Sequence, residues 1–251
     1  MKKVINKFIH NPFFALGIFL LSIAFLYSLF VKKPQIPIPI STDTNNLTIC
    51  TRKEMYTMPP EFVRAISLIE QRSVHSDYRL MDKCLDVQYG DTGDSEGIFY
   101  FDSEASSLEH YIIKVNESYK QVDDLLTAIL LSHELQHAEQ YYMKVHDNKS
   151  FGCVWNEVSA FFWQFQFVRS LNLEERKSLS ARMNTYSGTQ MHVQIRILED
   201  LLVFHNQANQ SCSSQKYPNE DDQWSCYVKE FRGKLQNWVE SNPAYKKQCG
   251  L

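Results

Sequence analysis

The most informative stretch of this chain is LSHELQH, at residues 131–137. Its centre reads H-E-x-x-H, with His133 and His137 four residues apart and Glu134 between them. On a helix, side chains four residues apart lie on the same face, so both imidazoles can reach one ion while the neighbouring carboxylate acts as a general base. The spacing therefore predicts a helix that carries two metal ligands and an acid/base group.

The segment around this motif favours a helix, because no glycine or proline occurs from residue 121 to residue 147. Asp123 and Asp124 lie near its predicted start, where they suit the positive end of the helix dipole. The apolar positions form two stripes beside the histidines, which should face the core. A narrow face is predicted to be solvated: Ser132, Gln136, Glu139 and Gln140. The alternative is two core histidines without a metal, but a buried carboxylate between them would then be costly.

Glu157 lies twenty residues after His137, in the sequence WNEVSA at 155–160. An aromatic-rich helix is predicted from about residue 153 to 170, and its carboxylate could supply a third protein ligand. Two histidines and one carboxylate that leave a fourth position for water are typical of a catalytic zinc site. Zn²⁺ is therefore the expected cofactor, with His133, His137 and Glu157 as its ligands.

Taken together, H-E-L-Q-H and the following N-E-x-x-A resemble the gluzincin clan of zinc metallopeptidases, with the spacing of thermolysin-like enzymes, over residues 125–165. The resemblance implies an α+β, helix-rich, zincin-like domain in which a small sheet precedes the active-site helix. It also implies that Glu134 is the catalytic acid/base and that an edge strand binds the substrate backbone. Phe161 departs from the pattern, because thermolysin-like enzymes carry an acidic residue there that orients a ligating histidine. Gln164 or a backbone carbonyl could replace it, or the domain could bind zinc without turnover, as an interaction module.

A second feature lies at the start of the chain, where residues 12–31 carry no charge. Twenty apolar residues can cross a bilayer as a helix, and no small-x-small cleavage site follows, so an uncleaved signal-anchor is favoured over a cleaved signal peptide. Three lysines precede the segment and two follow it, which favours a cytoplasmic N-terminus at 1–11 and an extracytoplasmic C-terminal domain. Prolines at alternate positions make residues 32–49 an extended tether, and the domain occupies residues 50–251.

The positions of the cysteines are consistent with that orientation, since all six follow the apolar segment. None of them forms a C-x-x-C motif. An even number in a small domain suits disulfides in an oxidising compartment, although unpaired thiols in a cytosolic domain are the alternative. Cys212 and Cys226 bracket a polar loop and are a plausible local pair.

The remaining sequence predicts two short strands, at 98–101 and 111–115, and helices at 59–72, 173–186, 190–209 and 221–241. The acidic stretch 82–97 is predicted to be a solvated turn rather than a calcium site. Four side chains are candidates to stabilise an oxyanion: Tyr141, Tyr142, Tyr186 and His192.

The expected function is that of a single-pass, membrane-anchored zinc metallopeptidase acting on a peptide or protein substrate. A net charge of −3 without a basic stripe argues against nucleic acid as a partner. Two further alternatives are an intramembrane protease, which the polar residues of the motif helix oppose, and a structural membrane protein with a chance motif.

Overall fold

A computed structural model describes residues 58–72, 85–101, 111–186 and 192–251. The predicted signal-anchor at 12–31, the tether at 32–49, Cys50 and Cys84 lie outside these residues. Within the described ranges, no helix is both long enough and apolar enough to cross a membrane.

The described residues form a helix-rich α+β fold, as predicted. The strands are β1 Leu85–Tyr89, β2 Gly97–Phe101 and β3 Tyr111–Val115, followed by a short 3-10 helix at Glu117–Gln121. The helices are α1 Pro60–Gln71, α2 Asp124–His146, α3 Cys153–Ser170, α4 Leu173–Tyr186, α5 His192–Ser211, α6 Glu220–Ser241 and α7 Pro243–Cys249.

The sheet has three strands in the order β1-β3-β2. β1 pairs with β3 in parallel, and β2 pairs with β3 antiparallel, with Phe99 opposite Ile113. β2 is thus an edge strand. The backbone N–H of Asn116 donates to the carbonyl of Glu96 (2.9 Å). Because such bonds alternate along an antiparallel pair, the backbone groups of Gly97 and Phe99 point away from β3.

Helix α2 lies at the centre of the fold and contacts α1, α3 and β2. It begins where the Asp123 side chain accepts hydrogen bonds from the N–H groups of Leu125 and Leu126, at 2.9 and 3.3 Å. Arg64 of α1 holds Asp124 through two hydrogen bonds (2.7 and 3.1 Å), and Arg182 of α4 pairs with Asp123. The start of the motif helix is therefore fixed from two sides.

The prediction that one face of α2 is solvated is wrong. Ser132 is 0% exposed, Gln136 2% and Gln140 5%, so α2 is buried nearly all round. The helices and the strand that surround α2 cover this face, and polar side chains are tolerated there where they find hydrogen bonds. Ser132, for example, donates to the carbonyl of Ile129 at 2.7 Å.

Two elements differ from the sequence-based expectation. The acidic stretch 82–97 contains strand β1, in which Leu85 and Val87 are buried at 1% and 2% exposure. Leu85, Val87 and Tyr89 alternate with Asp86 and Gln88, which is a strand pattern, but the acidic residues and glycines of this stretch favoured a turn. Helix α7 was not predicted, although Asn242 caps its first turn, Pro243 opens it and Gly250 ends it with a left-handed φ of 66°.

Candidate metal centre

Helices α2 and α3 bring the three predicted ligands together. The Nε2 atoms of His133 and His137 lie 3.1 Å apart. Glu157 places Oε2 at 3.6 Å from His133 Nε2 and Oε1 at 3.5 Å from His137 Nε2. One ligand atom from each residue lies within 4.8 Å of the others, and among the residues that the structure describes no second group of this kind occurs. A buried His133, His137 and Glu157 group of this form can bind a metal ion.

The distances fit a small tetrahedral ion. Zn²⁺ binds imidazole nitrogen and carboxylate oxygen at about 2.0–2.2 Å, which places adjacent tetrahedral ligands about 3.3 Å apart. The two imidazoles lie 3.1 Å apart, and the two oxygens of Glu157 lie 3.6 Å from His133 and 3.5 Å from His137, close to that value. Two nitrogen donors and one oxygen donor also suit this ion chemically. Residues 133, 137 and 157 therefore fit zinc without a large rearrangement.

Gln140 orients one of the histidines. His137 Nδ1 donates to Gln140 Oε1 (3.1 Å), and Gln140 Nε2 in turn donates to the carbonyl of Asn156 (3.0 Å). A histidine that donates through one ring nitrogen presents the lone pair of the other to a metal. Gln140 therefore gives His137 a hydrogen-bond acceptor of the kind that the sequence lacks at Phe161.

The other histidine has an unusual environment. Phe161, at the position of the expected acid, packs against the His133 ring with centroids 4.4 Å apart. His133 Nδ1 is buried without a hydrogen-bond partner. Gln164, considered as a replacement, donates from Nε2 to the carbonyl of Ile129 (3.2 Å), and its Oε1 is also buried without a partner. Phe161 therefore fixes this imidazole by packing rather than by a hydrogen bond.

Glu134 is held against the edge strand. It is 5% exposed and accepts a hydrogen bond from the backbone N–H of Phe99. A Cβ atom at Gly97 would lie only 2.9 Å from Glu134 Oε1, so this close approach requires glycine. Burial raises the pKa of Glu134 to about 7; His137 and the Phe99 N–H oppose that shift, and Glu157 adds to it. Such a carboxyl group can both accept and release a proton near neutral pH.

Glu157 carries its charge despite being 3% exposed. Burial alone would raise the pKa of this carboxyl, but His133, His137 and the Gln248 amide outweigh it, so the pKa lies below its ordinary value. Gln248 Nε2 donates to Glu157 Oε1 at 2.8 Å from the end of α7. This contact could not be read from the sequence, because it joins residues 91 positions apart.

These groups line a cavity of about 700 Å³ that opens between β2, α2, α3, α5 and α7. Of the proposed oxyanion donors, Tyr141 lines this cavity and Tyr142 does not. The side chains of Tyr186 and His192 lie outside the described part of the chain. Tyr245, which the sequence did not single out, also lines the cavity, and its pKa is raised by burial and by Glu157, Glu134 and Glu96.

Within the described part of 82–97, the acidic residues do not form a metal-binding group. Asp86 lies within β1. Glu96 accepts hydrogen bonds from the Tyr119 hydroxyl and from the backbone N–H of Gln194 (3.0 Å). This carboxylate therefore ties the start of α5 to the sheet.

Four cysteines within the described residues form two disulfides, Cys153–Cys249 and Cys212–Cys226. The second confirms the predicted local pair. The first joins the beginning of α3 to the end of α7 and lies beside the metal centre.

Comparison with known proteins adds no assignment: no family model, no curated protein and no solved structure matches this chain.

Proposed function

We propose that this protein is a zinc-dependent metallopeptidase of the gluzincin type, with a zincin-like arrangement of its described residues. The observation that carries the proposal is the convergence of His133, His137 and Glu157 at tetrahedral ligand spacing, beside a buried Glu134. A structural zinc site usually has four protein ligands, whereas three ligands facing a cavity leave a position for reactants.

The chemistry follows from the positions of these side chains. A zinc ion at residues 133, 137 and 157 would supply a Lewis acid that polarises a peptide carbonyl and lowers the pKa of water toward about 7. Glu134 accepts the proton of the attacking water and returns it to the departing amine. Tyr245 and Tyr141 are the described tyrosines whose hydroxyl groups could stabilise the oxyanion from the cavity wall.

Strand β2 supports an extended peptide as the substrate. Gly97 and Phe99 direct backbone groups away from β3, and both line the cavity beside Glu134; the Phe99 N–H already donates to Glu134, so a peptide would pair with other backbone groups of this edge. A peptide that adds to this edge would place a carbonyl near the acid/base group. Ile98 and Val193, exposed at 36% and 50%, also line the cavity, which favours apolar side chains next to the cleaved bond.

The test is hydrolysis of a mixed peptide library by the purified full-length chain, with products identified by mass spectrometry. Glu134→Gln is the matched control, because it keeps the size of the side chain and removes its basic oxygen. Wild type should cleave, 1,10-phenanthroline should stop cleavage, and added zinc should restore it. The variant should bind zinc and be at least about 100-fold slower, since acid–base catalysis typically contributes 10²–10⁴-fold.

The alternative of a zinc-binding module without turnover has its own outcome. If wild type and Glu134→Gln both bind one zinc per chain and neither cleaves any peptide, the peptidase proposal fails and the binding module stands. If the chain binds no zinc at all, both fail.

We also propose that residues 12–31 anchor the protein with its C-terminal domain outside the cytoplasm. The two disulfides support this placement, since such bonds persist in oxidising compartments. Protease added outside intact cells should digest the C-terminal domain; complete protection would refute the orientation.

A further inference from the structure

The last helix of the chain returns to the metal centre. Cys249 at the end of α7 is bonded to Cys153 at the start of α3, across 96 residues of sequence. One residue before that cysteine, Gln248 donates to Glu157 Oε1 at 2.8 Å. One turn earlier, the Tyr245 ring packs edge-on against Phe161, with centroids 5.4 Å apart.

We propose that Gln248 is a positioning residue that holds Glu157 in place as a metal ligand, and that the Cys153–Cys249 disulfide keeps Gln248 there. The inference rests on the proposed metal site. The Gln248 amide donates to Oε1, which lies 3.5 Å from His137 Nε2, while Oε2 lies 3.6 Å from His133 Nε2. The hydrogen bond thereby fixes the orientation of the Glu157 carboxylate toward the two imidazoles, as ligating carboxylates generally are fixed by hydrogen bonds from outside the coordination sphere.

The disulfide matters because α7 is short. It has seven residues and none of them is fully buried, although the Tyr245 ring packs against Phe161 and Trp238. Helices of that length are unstable by themselves in water, where about 12–15 residues are needed even for favourable sequences. The covalent bond to α3 keeps the Gln248 amide close to a carboxylate on the next turn of that same helix.

A substitution that removes only the amide tests the first part. Gln248→Met has similar length and lacks the donor, and Gln248 is exposed, so no internal void forms. The matched control is Gln236→Met on α6, where Gln236 Nε2 makes an equally short bond of 2.8 Å to exposed Glu240. Zinc affinity of the full-length protein is measured by competition with a fluorescent chelator, and ligand geometry by the absorption spectrum of the Co²⁺-substituted protein.

We expect Gln248→Met to weaken zinc binding by about 10–100-fold, the usual loss when a partner of a ligand is removed. Its Co²⁺ spectrum should change, and the melting temperature of the metal-free protein should fall by only about 2–6 °C, because the amide also stabilises the buried Glu157 carboxylate. Gln236→Met should match wild type in all three measurements.

The second arm tests the disulfide. Replacement of Cys153 and Cys249 by serine should weaken zinc binding by more than twofold but by no more than Gln248→Met does, because the bond acts through that amide; a change within twofold would refute the role of this disulfide. Replacement of Cys212 and Cys226, a pair that joins the end of α5 to α6, should leave zinc affinity within twofold of wild type.

Two outcomes overturn the proposal. One is a Gln248→Met protein that binds zinc within twofold of wild type with an unchanged Co²⁺ spectrum. The other is an equal loss of affinity in both cysteine pairs, which would show a general effect of destabilisation. After either result, the proposed peptidase function still stands if the wild-type protein binds zinc and cleaves peptides. If the wild-type protein binds no zinc, both the peptidase proposal and the role of Gln248 fail.

Discussion

Gly97→Ala should reduce peptide cleavage while leaving zinc binding intact. A Cβ atom at this position would lie 2.9 Å from Glu134 Oε1, 3.0 Å from its Cγ and 3.1 Å from its Cδ. Three consecutive atoms of one side chain are thus too close, and Glu134 cannot turn away toward solvent because it is buried. Either the carboxyl group or strand β2 has to move.

The size of the effect follows from these distances. Ordinary van der Waals contact begins near 3.4 Å, so the tightest contact, at 2.9 Å, requires a shift of about 0.5 Å. A displacement of 1 Å in a catalytic group can cost about 100-fold in rate, so half that displacement should cost about tenfold in kcat. The three atoms nearest the added methyl group all belong to Glu134, so zinc affinity should change by less than about twofold, well below the 10–100-fold loss that follows when a partner of a ligand is removed.

The assay compares kcat and zinc Kd for wild type, Gly97→Ala and Gly152→Ala. Gly152 is the control, because a Cβ atom there meets nothing within 4 Å. Full activity in Gly97→Ala would refute the placement of Glu134 as the acid/base group against β2. Loss of zinc together with activity would show instead that the substitution disturbs the whole site.

Three further predictions concern stability. Gly233→Ala, within α6 and with open space around the added methyl group, should raise the free energy of unfolding by about 0.5–1 kcal/mol in urea titrations; a lower value would contradict the open environment. Burial, together with Arg169 and Arg176, lowers the pKa of His205 from 6.5 to about 3. The unfolded chain therefore binds a proton that the folded chain excludes, and stability should fall as the pH drops below 6.5, by at most about 1.4 kcal/mol per pH unit, with a shallower slope in His205→Gln. Zinc at 100 times its Kd should stabilise the protein by about 2.7 kcal/mol, so a chelator should lower the melting temperature by about 5–10 °C, and no shift would argue against a folded-state metal site.

Much of the fold was predictable because its helices begin with local signals. The motif helix starts at an aspartate that caps it, and α3 and α4 occupy the predicted residues. Strand β1 could have been recognised from the alternation of Leu85, Val87 and Tyr89 with polar residues, but the acidic residues and glycines that follow it favoured a turn. Helix α7 could have been recognised from Asn242, Pro243 and Gly250, which are strong signals for the two ends of a helix.

The residues of the site likewise fall into those that the sequence predicts and those that it does not. The ligands on α2 follow from a spacing of four residues, and Gln140 could have been added because residues three apart on a helix are neighbours. Gln248 and Tyr245 could not, because their place depends on the return of α7 to α3 after more than 85 residues. Local patterns therefore predict the side chains that could bind an ion, and tertiary structure decides which other residues hold those side chains in place.

The hydrogen bonds around the histidines argue for an ion rather than for a metal-free histidine pair. Gln140 donates to the Asn156 carbonyl through Nε2, so its Oε1 faces His137 and requires a proton on Nδ1. A neutral His137 then presents a bare lone pair on Nε2 to the His133 ring, 3.1 Å away. If His133 is protonated on Nε2, that one proton faces both the His137 lone pair and the Glu157 carboxylate, while Nδ1 has no partner with or without an ion. If it is protonated on Nδ1, two lone pairs and the Glu157 carboxylate converge on one point. A shared proton serves one of these contacts at a time, whereas a divalent cation satisfies all three.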